Sequence, residues 1–436
     1  MKASSTNSHA DLGPTFTFPG QGSYSQPVLR ELYSSFPQTV PYFERADEIS
    51  REILQGEFLA LVTSDSTKTH DERLEACPNL DQVGIYLTEV LIAKLLIEAG
   101  VHPALLVGHS FGELAALATA GVYSIETGLR IVCQRVLALQ VGARPGVMAA
   151  VSCDLENMWR HLEAAKTKTL EIAVVNQPRQ TVVSGERSEL DALRTVTNQQ
   201  GVSVTLLKSR YPYHSSFLEG AVAPFRQALE SCEFSAARFP VYLCLEGVLY
   251  SPGFDLIEAL SSQFVRSLNF RKVIETLYAS GYRTFIECGA GNIVSKFIDQ
   301  NLAKKAEPVS TIAPTSLKGT LRESLAQVTE RFGSATEETI ADKAKPASAV
   351  EAAERLLEGM SLVARDMSQL VENAKQLVER VTRTEVVQAG HSQRAANETP
   401  QVNGQRPAIF PEEKCGELPI AIVSIGCVLP GANDPR

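Results

Sequence analysis

The run Gly108-His109-Ser110-Phe111-Gly112-Glu113 constrains the fold more than any other part of the chain. Residues 104–107 before it are apolar and read as a short buried strand, and the alanine-rich run after it, to Ala120, reads as a helix. A chain that passes from strand to helix in so few residues needs glycine where backbones come close, and leaves Ser110 Oγ projecting from the top of a sheet. The same alternation recurs elsewhere. Residues 14–18 read as a strand running into Pro19-Gly20-Gln21-Gly22, and residues 83–99 have apolar side chains at helical spacing up to a stop at Gly100. Further on, a helix over 271–279 is followed by a strand over 284–287 that ends at Cys288-Gly289-Ala290-Gly291. Strand, glycine turn and helix in alternation predict an α/β fold with a parallel sheet.

Residues 147–207 break this pattern. They read as strand 148–151, helix 155–165, strands 170–175 and 181–184, helix 188–197 and strand 202–207. That βαββαβ order predicts a ferredoxin-like subdomain over 146–207, inserted into a larger part formed by 14–145 and 208–320. Near residue 335 the composition turns to Ala, Glu, Lys, Arg and Gln. From Ala353 to Val381, through Leu356, Met360, Val363, Met367, Leu370, Ala374 and Leu377, apolar residues alternate at spacings of three and four. Within a helical linker over 346–385, this pattern reads either as a coiled coil that would make a homodimer through 353–381 or as one amphipathic helix packed on its own domain. Residues 386–415 are polar, with prolines at 400, 407 and 411, and read as a flexible linker.

Composition excludes several function classes. The net charge of −9 argues against general nucleic-acid binding, which wants a basic face. The eight cysteines show no C-x-x-C pair or zinc spacing and read as reduced core thiols, so no metal is expected. Residues 1–11 are polar and resemble no signal peptide, and no stretch has the apolar length of a membrane helix. A soluble cytoplasmic protein is expected.

Chemistry concentrates at Ser110. A G-x-S-x-G between strand and helix is the setting of a nucleophilic serine, with the Phe111 N–H at the helix start facing a developing oxyanion. A tight structural turn with an incidental serine is the other reading. A serine needs a base. His9, His70 and His391 lie in polar or terminal segments, His102 precedes Pro103, and His161 sits on a helix of the inserted unit. His109 adjoins the serine and lines the pocket, which leaves His214 as the candidate base. In the helix over 126–140, Arg130 shares a polar face with Glu126 and Gln134, whereas Arg135 lies on the apolar face with Ile131, Val132, Ala138 and Leu139. A buried guanidinium needs an anion: a substrate carboxylate, or a core Asp or Glu.

Six blocks in order resemble the malonyl-CoA:acyl-carrier-protein transacylases and the acyltransferase domains of modular polyketide synthases. They are Phe18-Pro19-Gly20-Gln21-Gly22-Ser23, the Ser110 block, Arg135, Asn176, Tyr211-Pro212-Tyr213-His214-Ser215, and Glu287-Cys288-Gly289-Ala290-Gly291-Asn292. The resemblance runs from about Phe16 to about Pro314, within a domain set at 14–320. It implies an α/β-hydrolase-like core with the ferredoxin-like insertion. Ser110 would form the acyl-enzyme with His214 as its base, Arg135 would grip the malonyl carboxylate, and the Gln21 and Phe111 N–H groups would form the oxyanion hole. A backbone carbonyl near Ser267 would orient His214, and His109, Asn176, Tyr211 and Tyr213 would line the substrate pocket. The implied substrates are malonyl-CoA and the phosphopantetheine thiol of an acyl carrier protein, with no bound cofactor.

Tyr211-Pro212-Tyr213-His214 matches neither His-Ala-Phe-His of malonyl-selecting members nor Tyr-Ala-Ser-His of methylmalonyl-selecting ones. The bulk of Tyr213 favours malonyl, with methylmalonyl and an editing acyl hydrolase as the alternatives. Residues 416–436, with Ile420-Ala421-Ile422-Val423-Ser424-Ile425-Gly426-Cys427, resemble the opening of a ketosynthase domain. That resemblance implies an N-terminal piece of a larger synthase, with a ketosynthase expected on the same polypeptide.

Overall fold

Both faces of the first strand, β1 (Pro14–Phe18), are covered: Phe16 and Phe18 are buried, and so are Thr15 and Thr17. A strand between two helical layers of a parallel sheet experiences this. The computed structural model describes residues 11–63, 79–333, 355–357 and 359. Around β1 it assembles a sheet in the order β11-β10-β1-β2-β7-β8, from β2 (Leu105–Gly108), β7 (Val241–Leu243), β8 (Val248–Leu249), β10 (Thr284–Glu287) and β11 (Ser310–Ile312). The pairings from β11 through β7 are parallel, and the edge pair β7–β8 is antiparallel.

Helices α1 (Gln26–Ser35), α2 (Val40–Leu54) and α3 (Phe58–Thr63) precede α4 (Leu80–Glu98). Every residue of α4 from Gln82 to Ala93 is buried, so this helix is enclosed on all sides rather than amphipathic. Gln82 and Glu89, seven residues apart, therefore share one face inside the core. After β2 come α5 (Gly112–Thr119) and α6 (Ile125–Gly142), the latter capped by Ser124, whose side chain accepts from the Thr127 N–H.

The inserted unit follows as β3 (Val147–Val151), α7 (Leu155–Ala164), β4 (Glu171–Gln177), β5 (Gln180–Gly185), α8 (Arg187–Asn198) and β6 (Val204–Leu206). It has its own apolar cluster, centred on Ala149, Val151, Met158, Val183, Leu190 and Leu193. Its sheet has the order β6-β3-β5-β4-β9, in which β9 (Leu268–Asn269) comes from the chain after the insertion and pairs parallel to β4. The insertion is therefore not closed over 146–207, because a strand of the larger part completes its edge. The chain between and beyond forms α9 (Glu219–Leu229), α10 (Leu256–Ser262), α11 (Phe270–Ala279), α12 (Ile293–Leu302) and α13 (Leu321–Phe332).

Of the heptad stretch, only residues 355–357 and 359 are described. Leu356 is buried in the large core, while Leu357 is exposed. A Cβ on Gly359 would lie 2.1 Å from Ser280 Oγ, so the backbone approaches α11 closely here. At this turn a residue of the expected seam packs on the domain itself. The rest of that stretch, the linker over 386–415 and the ketosynthase-like residues 416–436 lie outside the described residues.

Candidate active site

The turn between β2 and α5 places Ser110 at φ +55°, a left-handed conformation that costs a residue with a side chain of order 1–3 kcal/mol. Its neighbours show why glycine flanks it. A Cβ on Gly108 would sit 2.1 Å from the Glu113 nitrogen, and one on Gly112 would sit 2.2 Å from the Phe18 carbonyl oxygen. The turn is pressed against the end of β1, where the Phe18 carbonyl accepts the His109 N–H at 2.8 Å.

His214 also has a positive φ, of +60°, and follows the return of the chain from the inserted unit. Its Nε2 lies 2.7 Å from Ser110 Oγ, and its Nδ1 lies 2.7 Å from the carbonyl oxygen of Arg266. A carbonyl only accepts, so Nδ1 carries the proton and Nε2 is left to accept from the serine hydroxyl. Burial, against the opposing Arg266 contact and with smaller contributions from His109 and Arg135, lowers the imidazole to about 4. The ring is thus neutral at pH 7, as a base must be.

The orienting carbonyl is that of Arg266 and not, as expected from the sequence, that of Ser267. The cause is local. After α10 the N–H groups of Val265 and Arg266 both return to the Ser262 carbonyl, at 3.1 and 3.2 Å, and this turns the next carbonyl towards His214. Arg266 is also held by Glu246 and by the Leu245 carbonyl at 3.2 Å. Ser267 then leads directly into β9.

Arg135 is buried in α6, and Gln82 accepts from its Nη1 at 2.5 Å. Its guanidinium carbon lies 5.0, 5.2 and 4.9 Å from the ring centres of Phe111, Tyr213 and Phe264. Among the described residues no carboxylate is ion-paired with it, and its Nε is buried with no hydrogen-bond partner. Of the two readings of Arg135, an internal Asp or Glu partner is therefore not what these residues provide. Burial pulls the guanidinium below its ordinary pKa, with Tyr213 opposing that shift.

The remaining expected residues gather around this centre. His109 Nε2 lies 2.8 Å from Asn176 Oδ1 and packs edge-on against Phe270. The Tyr211 hydroxyl accepts from Asn79, and the Tyr213 hydroxyl accepts from Gln82, each at 3.2 Å. The Gly20 N–H donates to Glu89 at 2.6 Å, which fixes the turn carrying Gln21, and the Gln21 amide donates to Asp81 at 3.1 Å. Burial, reinforced by the nearby Glu287, pushes the Glu89 carboxyl well above the usual range despite the Gly20 contact. Arg130 lies outside the site, half-buried and paired with Glu52 at 2.9 and 3.0 Å.

The sequence reading missed Gln82, Asn79, Phe264 and Gln263. Gln82 had a signal, an uncharged amide beside the apolar run of α4, whereas the other three had none. A cavity of about 1110 Å³ opens elsewhere, between Lys94, Tyr123, Arg130 and Arg238, and includes neither Ser110 nor His214 nor Arg135.

The fold and site together define an α/β protein that presents a hydrogen-bonded serine–histidine pair at the end of a parallel sheet. A family model described as "Acyl transferase domain" matches residues 15–341, so the chain belongs to that family of acyltransferases. It is 25% identical over 309 residues to the malonyl CoA-acyl carrier protein transacylase of Bacillus subtilis, which covers 70% of this chain and 94% of that protein. A non-reducing polyketide synthase of Pseudevernia furfuracea is 30% identical over 319 residues, 70% of this chain but only 14% of the synthase. The crystal structure of malonyl CoA-acyl carrier protein transacylase from Clostridium perfringens superposes with a TM-score of 0.63 at 26% identity, covering 76% of this chain and 99% of that one. Among the described residues, no helix is long and apolar enough to cross a membrane.

Proposed function

We propose that this chain transfers a malonyl group from coenzyme A to the phosphopantetheine thiol of an acyl carrier protein, through an ester on Ser110. Arg135 carries the reading. A buried guanidinium beside Phe111, with an unpartnered Nε, is suited to a carboxylate on the far end of the acyl group. In this proposal Ser110 Oγ attacks the thioester carbonyl while its proton passes to His214 Nε2. The N–H groups of Gln21 and Phe111 stabilise the oxyanion. The carbon–sulfur bond then breaks, and coenzyme A leaves with the proton from His214. The pantetheine thiol next gives its proton to His214 and attacks the ester, and Ser110 recovers its proton as the carbon–oxygen bond breaks.

His109, Asn176, Tyr211 and Tyr213 form the pocket wall in this reading. The Tyr213 ring, buried and tethered to Gln82, occupies space that an α-methyl group would need, which favours malonyl over methylmalonyl. The large sheet corresponds to the hydrolase-like core and the βαββαβ unit to the ferredoxin-like subdomain. A cytoplasmic setting, a ketosynthase on the same polypeptide and a dimer through 353–381 complete the proposal.

Intact-protein mass after mixing with a panel of acyl-CoAs tests it. A malonyl adduct is expected to form fastest, with methylmalonyl and acetyl slower, and a preference for methylmalonyl or no adduct at all would overturn it. The histidine adds a pH signature. With His214 lowered to about 4, the acid limb that this base imposes on acylation belongs near pH 4 rather than at the ordinary 6.5. The sign for stability follows: the contribution of this neutral ring is complete above 6.5 and is lost as the pH falls towards about 4. Burst-phase acylation of the wild type and of His214→Ala across pH 4–8 measures the limb, and a histidine-dependent limb at 6.5 would contradict the assignment.

A further inference from the structure

The turn that carries Gln21 is held from behind by α4. Gly20 stands at φ +69°, and a Cβ on it would lie 2.5 Å from the His109 carbonyl oxygen and 2.7 Å from the Gly112 nitrogen, so this turn is pressed directly on the serine turn. Both polar backbone groups of Gly20 are tied. Its N–H donates to Glu89 Oε1 at 2.6 Å, and its carbonyl accepts the Ser23 N–H at 3.2 Å and the Ser23 hydroxyl at 2.7 Å. Glu89 is fully buried within α4, and its Oε2 has no hydrogen-bond partner among the described residues. A carboxyl in an apolar helix is costly, and the one side-chain bond it makes there goes to Gly20. The neighbouring buried carboxylate, Glu287, is used differently: it accepts the N–H groups of Ile293, Val294 and Ser295 at the start of α12. Burial, reinforced by Glu287, keeps Glu89 in its neutral form, which accepts through a carbonyl oxygen as an amide does.

We propose that Glu89 is a positioning residue for the oxyanion hole: its acceptor fixes Gly20, and through Gly20 the Gln21 N–H, at a set distance from the serine turn. The inference rests on the reading given above of Ser110 as nucleophile and of the Gln21 and Phe111 N–H groups as the hole. Those two N–H groups come from turns after different strands, β1 and β2, so neither turn sets their spacing alone. The parallel pairing of the strands ends with Phe18 beside Gly108, and Glu89 supplies the next fixed point. One face of α4 then serves both ends of the acyl group. Gln82 holds Arg135 and Tyr213 at the carboxylate end, and Glu89 holds the turn at the thioester carbonyl. Without its acceptor the Gly20 N–H would be buried and unpaired, and a glycine turn is free to move towards another partner, taking the Gln21 N–H with it. Glu89 lies behind the turn and acts only through it.

The test compares Glu89→Leu, which keeps much of the volume and removes the acceptor, with Glu89→Gln, which keeps the acceptor. Losing one donor of an oxyanion hole costs about 10²–10³-fold in rate, and a displaced donor loses part of that. Single-turnover malonylation per folded active site is therefore expected to fall about 10- to 100-fold in Glu89→Leu, with KM for malonyl-CoA within about twofold because Arg135 and its partners are untouched. Glu89→Gln is expected to recover most of the rate. If Glu89→Leu does not fold, Glu89→Asp, whose carboxyl falls one carbon short of Gly20, is read in the same way. A merely structural role predicts a lower melting temperature with an unchanged rate per folded molecule, and that result overturns the proposal. So does a loss confined to KM, or a Glu89→Gln that falls as far as Glu89→Leu. Ser110→Ala serves as the control. An adduct on Ser110→Ala refutes the nucleophile assignment, whereas an inert Ser110→Ala beside a full-speed Glu89→Leu refutes only the role of Glu89.

Discussion

Ser110→Ala is expected to abolish the acyl adduct and to cut malonyl transfer by about four orders of magnitude or more, the scale seen when a nucleophile is removed from a serine–histidine unit. The change is small for the fold. Alanine takes the same φ of +55° with the same Cβ, and the glycine contacts on either side are unaffected. What is lost is the 2.7 Å bond from Ser110 Oγ to His214 Nε2 and the atom that carries the ester. Binding of malonyl-CoA should survive, since Arg135, Gln82 and the aromatic rings do not touch the hydroxyl. Intact mass and single-turnover transfer are the measurements. A malonyl adduct that persists on the variant would mean that another side chain is the nucleophile.

Arg135→Ala should separate the transferase from an editing hydrolase. Removing one partner of a buried charged pair costs about 2–5 kcal/mol, or roughly 30- to 5,000-fold in kcat/KM for a carboxylated acyl group. An acyl group without a carboxylate gains nothing from the guanidinium, so acetyl transfer should change little and the malonyl preference should collapse. An editing hydrolase would keep its rate on simple acyl chains and show no such collapse. Stability should respond less than activity. The truncation leaves Gln82 Oε1 without its donor, but it also removes a charge whose desolvation among Phe111, Tyr213 and Phe264 is costly. Arg135→Lys should recover only part of the activity, because an ammonium lacks the planar fork that grips a carboxylate.

The parts of this protein legible in its sequence are those decided over short range. The turn at Ser110 needs glycine within two residues on each side, so a six-residue run announces it. The inward face of Arg135 follows from helical spacing, and β3 to β6 with their helices follow from alternating patterns and turn residues. The Ser267 assignment failed by one residue because the path of a non-helical segment after α10 depends on hydrogen bonds to Ser262 that no pattern encodes. Gln263 and β9 were invisible for a related reason, since a two-residue strand and a single amide gain meaning only from partners elsewhere in the chain. Ser110 and Gln263 are 153 residues apart, and Ser110 and His214 are 104 apart.

Local backbone preference and side-chain periodicity therefore determined, from the sequence alone, a serine at the end of a parallel sheet, an arginine facing inward and an inserted βαββαβ unit. Only the tertiary structure decided which carbonyl orients His214, that a glutamine amide and three aromatic rings surround Arg135, and that the Gln263 amide reaches the Ser110 carbonyl. Those decisions belong to packing, where a hydrogen bond between distant segments forms because both are buried together and neither can reach water.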